Sequence, residues 1–157
     1  MDQSKACMVA ADAAPRIKPS NYPEPFASRM TGRQKKPLGD PFGLSQFGVN
    51  LTTLSPGAVS ALHHQHSKQD EWVYVLSGEV TLYIGEESYL MRSGMCAGFR
   101  ASGAPHHLRN NSTGDATIIE VGCRVPGDAV SYATDDLVAV MGSNGHWVFE
   151  HKNGEPY

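Results

Sequence analysis

The sequence is short of several things, and each shortage closes off a class of function. It has no long apolar run. The most hydrophobic N-terminal patch, Cys7–Ala11, is short and is followed by Asp12. A membrane helix needs about 18 or more apolar residues in a row, so neither a spanning helix nor a signal peptide is expected. It has no excess of basic charge: 13 Lys and Arg stand against 16 Asp and Glu, which argues against a nucleic-acid partner. Its one basic cluster, Arg33 with Lys35 and Lys36, reads as a solvated loop. Cysteine is scarce too, and the three present, Cys7, Cys96 and Cys123, are far apart and not in metal spacing. Reduced thiols in a cytoplasmic protein follow. Finally, no window carries a helical period of apolar residues.

Turns and short alternating segments are plentiful. Residues 1–34 hold Pro15, Pro19, Pro23 and Pro25 without any sustained period and are expected to form an irregular arm. Alternation begins with Phe47–Leu54, stopped by Pro56-Gly57. It continues through Ala58–His66, Glu71–Leu76, Glu79–Ile84, Ser88–Met91, Met95–Phe99, His106–Asn110 and Ala116–Arg124. About eight short strands with turns every 8–12 residues predict an all-β sandwich or barrel over residues 35–125. Residues 126–157 read as an extension packing on the barrel or on a partner subunit, with Trp147 and Phe149 alternating as on an edge strand.

Histidine is concentrated: of 7 in the chain, all but His146 and His151 fall in two short windows. His64 and His66 are two apart, so on a strand both point to one face. Glu71 opens the next strand, and His106 or His107 could complete a divalent-metal site. Burying three such groups without pairing or a metal would be costly. His63 and Gln65 have the opposite parity and should face outward or line the rim. If Glu71 faces inward, Val73 and Val75 do as well, leaving Trp72, Tyr74 and Leu76 on a face too apolar for water. A homodimer partner together with the arm is the expected cover. Met91, Met95 and Met141 read as core filler, and Cys96 and Cys123 as small core residues. Tyr83, Arg100 and Arg109 are candidates to touch a ligand, and His146 and His151 read as surface residues.

These residues resemble the cupin superfamily. Gly57, His64-Gln65-His66, Glu71 and Gly78 match its first motif, with one extra residue between Gly57 and His64. Gly94, Gly103-Ala104-Pro105-His106 and Asn110 match the second. Arg100 stands where a proline is usual, and Met95 where an aspartate is frequent. The spacing between Gly94 and Gly103 is also one residue longer than usual. The chain looks like the small single-domain cupins of uncharacterised function. The resemblance implies a double-stranded β-helix, or jelly roll, and a metal set of His64, His66, Glu71 and His106. His107 would then sit at the rim. One divalent transition metal is implied, with Fe, Mn, Ni, Co and Zn all compatible with such donors. The chemistry would be that of a dioxygenase or of a Lewis-acid isomerase or lyase, acting on a small anionic or chelating substrate. The competing expectation is a cupin that binds or senses a small molecule without turnover.

Overall fold

The computed structural model describes residues 6–143 and 145–157. Twelve strands account for its regular structure: β1 (Arg33–Pro37), β2 (Phe47–Leu54), β3 (His64–His66), β4 (Glu71–Ser77), β5 (Glu79–Ile84), β6 (Glu87–Arg92), β7 (Cys96–Phe99), β8 (His106–Arg109), β9 (Ala116–Cys123), β10 (Ala129–Tyr132), β11 (Val138–Met141) and β12 (Trp147–Glu150). Helix among the described residues is confined to 3-10 turns at Ala10–Asp12, Ala27–Met30 and Asp40–Phe42. None is long and apolar enough to cross a membrane.

The strands form two antiparallel sheets, ordered β1-β2-β9-β4-β7 and β12-β11-β10-β3-β8-β5-β6. Consecutive strands alternate between them from β2 to β5 and again from β6 to β10, as in a jelly roll. Period-two alternation explains why the sheets close on each other. Val73 and Val75 on β4, Val80 and Leu82 on β5, and Ala116 and Ile118 on β9 are all buried in one cluster with Leu54, Met91 and Leu108. Each large aliphatic side chain so buried is worth about 1.5–3 kcal/mol of transfer free energy. The β4–β5 turn is fixed by Gly78, at φ 74°, where a Cβ would lie 2.6 Å from the Asp115 carbonyl oxygen. Only glycine fits there.

A second core lies outside the motif strands. Phe26 and Met30 from the arm pack with Leu62 and with Val130, Tyr132, Leu137 and Ala139 from the tail. The arm therefore supplies core residues to the tail strands, and Trp72 and Leu76 on β4 each remain 41% exposed.

Several expectations need correction. Arg33, Lys35 and Lys36 are not in a solvated loop. They lie on β1, paired with β2 from Arg33↔Leu54 to Pro37↔Asn50. Arg33 and Lys35 sit opposite Leu54 and Thr52, both buried, so they share the inward face. The expected strand over residues 58–66 is reduced to β3 plus one isolated bridge, Val59↔Arg109. Cys96 and Cys123 are exposed rather than buried. Cys96 pairs with Tyr74 and Cys123 with Phe47, on the outer face of their sheet. Met91 is core, but Met95 is 45% exposed.

Candidate metal centre

The site is built from both sheets. On β3 alternation turns His64 and His66 to one face, and the register places His106 of β8 directly opposite His64. Opposite residues of an antiparallel pair share a face, so three imidazoles converge from the seven-stranded sheet. Glu71 does not come from a strand beside β3, as its position in sequence suggests. It begins β4 in the other sheet, between Phe99 and Gly122, and reaches across the barrel. Its Oε2 lies 3.1 Å from His106 Nε2, 3.3 Å from His64 Nε2 and 3.6 Å from His66 Nε2.

For His64 and His66 the opposite edge of the ring settles what Nε2 carries. His64 Nδ1 is 2.8 Å from the Leu62 carbonyl oxygen, which can only accept, so Nδ1 holds the hydrogen. His66 Nδ1 is 2.6 Å from Asp128 Oδ2. Asp128 is fully buried and accepts from Ser67 Oγ and the Lys68 amide through its other oxygen. Neutral rings of this tautomer in His64 and His66 aim Nε2 lone pairs at the Glu71 carboxylate, so those two contacts are not hydrogen bonds. Glu71 Oε2 is accordingly buried with no hydrogen-bond partner, as is His106 Nδ1. The His106 ring is instead set by stacking on Phe99, with centroids 3.6 Å apart and planes within 6°.

Lone pairs converging on an oxygen need a cation among them. Donors about 2.1 Å from a shared ion lie about 3.0–3.5 Å apart, close to the separations seen. His64, His66 and Glu71 form a group able to hold a metal ion, and His106 stands at the same oxygen. Charge agrees with geometry. Burial pushes His106 down despite Glu71, which favours the neutral ring that a metal requires.

His63 and His107 are not in this cluster. They face each other with Nδ1 atoms 2.9 Å apart, and Tyr83 stacks on His107. Arg100 and Arg109 are exposed. None of Tyr83, Arg100 and Arg109 lines the cavity above the cluster. His146 is exposed, and His151 is tied to Asp136 at 2.9 Å. The cavity, of about 180 Å³, is instead lined by Arg16, Tyr22, Arg33, Lys35, Tyr132 and Trp147 together with the cluster. All six lie outside the two sequence motifs. For Arg33 and Lys35 the only available signal was their spacing of two.

Residues 50–122 match the family model described as Cupin domain. The sugar phosphate isomerase from a cupin superfamily of Silicibacter pomeroyi DSS-3 is 37% identical, with 96% of each chain covered and a TM-score of 0.89. A candidate sugar phosphate isomerase from Acidithiobacillus ferrooxidans is 31% identical over 80% of each chain, with a TM-score of 0.72. The polyketide cyclase RemF from Streptomyces resistomycificus, 18% identical, shares the fold alone. It covers 74% of this chain and 78% of its own, with a TM-score of 0.61. No curated protein matches. The chain belongs to the cupin superfamily.

Proposed function

We propose that the protein is a metal-dependent sugar phosphate isomerase. The observation that carries this is the convergence of three Nε2 atoms on the Glu71 carboxylate at the floor of a cavity lined by three cationic side chains. The relatives described as sugar phosphate isomerases support the substrate class, since one is 37% identical over 96% of the chain.

His64, His66, Glu71 and His106 would hold one divalent ion, with Fe, Mn, Ni, Co and Zn all suited to such donors. An ion held there would act as a Lewis acid, polarising a carbonyl or enediolate oxygen of the substrate. The chain's own residues do the rest. Leu62 and Asp128 fix the rings of His64 and His66 so that only Nε2 faces the cavity. Tyr22 and Tyr132 stand on the cavity wall, and burial raises both phenols. They stay protonated at neutral pH and can donate hydrogen bonds to substrate hydroxyls. Phe99, Trp147 and Phe149 provide apolar wall that limits water at the site. Such an enzyme would work in the cytoplasm, where the free thiols of Cys7, Cys96 and Cys123 stay reduced.

The test is aldose–ketose interconversion of a panel of sugar phosphates, followed by proton NMR, with the chelated protein and with each divalent metal restored. Metal-dependent interconversion of at least one sugar phosphate is expected. Tight binding of these compounds with no exchange under any metal would favour the alternative, a binding or sensing cupin.

A further inference from the structure

The cavity carries positive charge that the histidine cluster does not use. β1 turns Arg33 and Lys35 inward, and Arg16 reaches the same space from the arm. Lys35 is neutralised: its Nζ lies 2.9 Å from Glu120, which also accepts from Thr52 Oγ1. Glu71, the other carboxylate on the wall, belongs to the histidines. Arg33 and Arg16 have no carboxylate partner among the described residues. Arg33 donates from Nη1 to the Ser60 carbonyl at 2.7 Å and from Nη2 to the Pro19 carbonyl at 2.9 Å. Those dipoles fix the plane of the guanidinium without cancelling its charge. Its Nε is buried and has no hydrogen-bond partner. The Arg16 guanidinium donates to Asn50 Oδ1, at 3.2 Å.

Burial lowers the Arg33 pKa, so the folded chain holds that charge at a cost. A buried cation without a counter-ion is destabilising unless something completes it. Two guanidiniums offer planar donor forks suited to phosphate oxygens. Their two uncompensated charges match a phosphate monoester, which carries about −1.5 to −2 at neutral pH. A single carboxylate would neutralise only one of them.

We propose that Arg33 and Arg16, with Lys35 beside them, form an anion subsite that takes the phosphate group of the substrate while its sugar end reaches the histidine cluster. The assignment rests on the sugar phosphate reading above. It gives the arm and β1 a specific task, selecting phosphorylated over neutral sugars.

The experiment titrates inorganic phosphate into the chelated full-length protein by calorimetry, so that no metal can bind the phosphate. Wild type, Arg16→Gln and Arg33→Gln are compared, with acetate as a second probe. Each substitution is expected to weaken phosphate binding at least tenfold, and acetate should bind at least tenfold more weakly than phosphate. Manganese affinity should stay within twofold of wild type in both variants. Arg33 also anchors the arm through Pro19, so Arg33→Gln counts only where its thermal transition stays cooperative. The Arg16 side chain makes one exposed hydrogen bond, and Arg16→Gln keeps the test decisive without it. Unchanged phosphate affinity in Arg16→Gln, no phosphate binding by wild type, or acetate binding as tight as phosphate would each overturn the subsite. Phosphate binding that responds to these variants in a protein that isomerises nothing would leave the subsite standing and remove the isomerase reading instead.

Discussion

The strands from β2 to β9 and the segments flanking them build different parts of one cavity. The first group supplies the donor atoms of His64, His66, Glu71 and His106, presented by two facing sheets over a core of Val73, Val75, Ile118 and Leu54. The flanking arm, β1 and tail supply Arg16, Arg33, Lys35, Tyr132 and Trp147 to the walls, and Asp128 behind His66. The difference teaches where two kinds of information lie in this chain. The geometry of the histidine cluster is written in local spacing, because a strand's parity alone aims two histidines together. The charge and shape of the cavity come from tertiary packing of segments with little pattern of their own. Under the proposed function, chemistry and selectivity would be carried by different parts of the chain.

The comparison can be broken most forcefully at the second core. Met30 is 2% exposed and joins the arm to the tail strands. Met30→Ala should destabilise the whole protein by about 2–5 kcal/mol in chemical denaturation. If the arm were detachable, the main transition would not move. Next comes Asp128, a tail residue that acts on a barrel histidine. Asp128→Ala should reduce metal affinity about 10–100-fold, as loss of such outer partners does elsewhere. Asp128→Asn should recover part of the loss, because an amide oxygen still accepts from His66 Nδ1. Wild-type affinity in Asp128→Ala would mean the tail contributes nothing to the centre.

A smaller effect concerns pH and belongs to the barrel alone. Burial, then the neighbouring charge of His63, pushes His107 down from 6.5 to about 4. The unfolded chain takes up this proton first. Stability from this residue is therefore complete above about pH 6.5 and is lost as pH falls toward 4. In chelated protein, the melting temperature of His107→Gln should decline less than that of wild type over this range. Parallel curves would remove His107 as the source. The smallest effect on chemistry is expected at the outer face of β4. Trp72 and Leu76 are each 41% exposed there, with Phe47 on β2 of the same sheet 40% exposed, and a two-fold dimer is the commonest way to cover such a surface. Sedimentation should give a dimer that Trp72→Glu converts to monomer with metal binding intact. A monomeric wild type would count against it.

Much of this was legible in the sequence. Alternation located β2 and β4 to β9 because each has one face in the core and one outside. The same parity put Val73 and Val75 inside with Glu71. Periodicity reports a face, not a neighbour, and so it could not show that β3 and β4 lie in opposite sheets although only four residues separate them. Cys96 was misplaced for a related reason: its size and polarity suit a core, but its register with Tyr74 puts it outside. β1 was missed because its inward positions are Arg33 and Lys35, facing a polar cavity, so no apolar alternation exists to be seen. β10 and β11 are four residues each, too short for a period to register.

The central claim, that His64, His66, Glu71 and His106 hold one divalent ion and that His63 and His107 do not, is tested most directly by metal affinity in single-alanine variants. Chelated protein would be titrated with zinc and with manganese against a chromophoric competitor. Affinity should fall at least about tenfold in His64→Ala, His66→Ala and His106→Ala, since losing a direct donor costs no less than losing an outer partner. It should stay within about twofold of wild type in His63→Ala and His107→Ala, whose rings point at each other rather than at Glu71. Full affinity in His64→Ala and His66→Ala, with loss in His63→Ala or His107→Ala, would contradict the account.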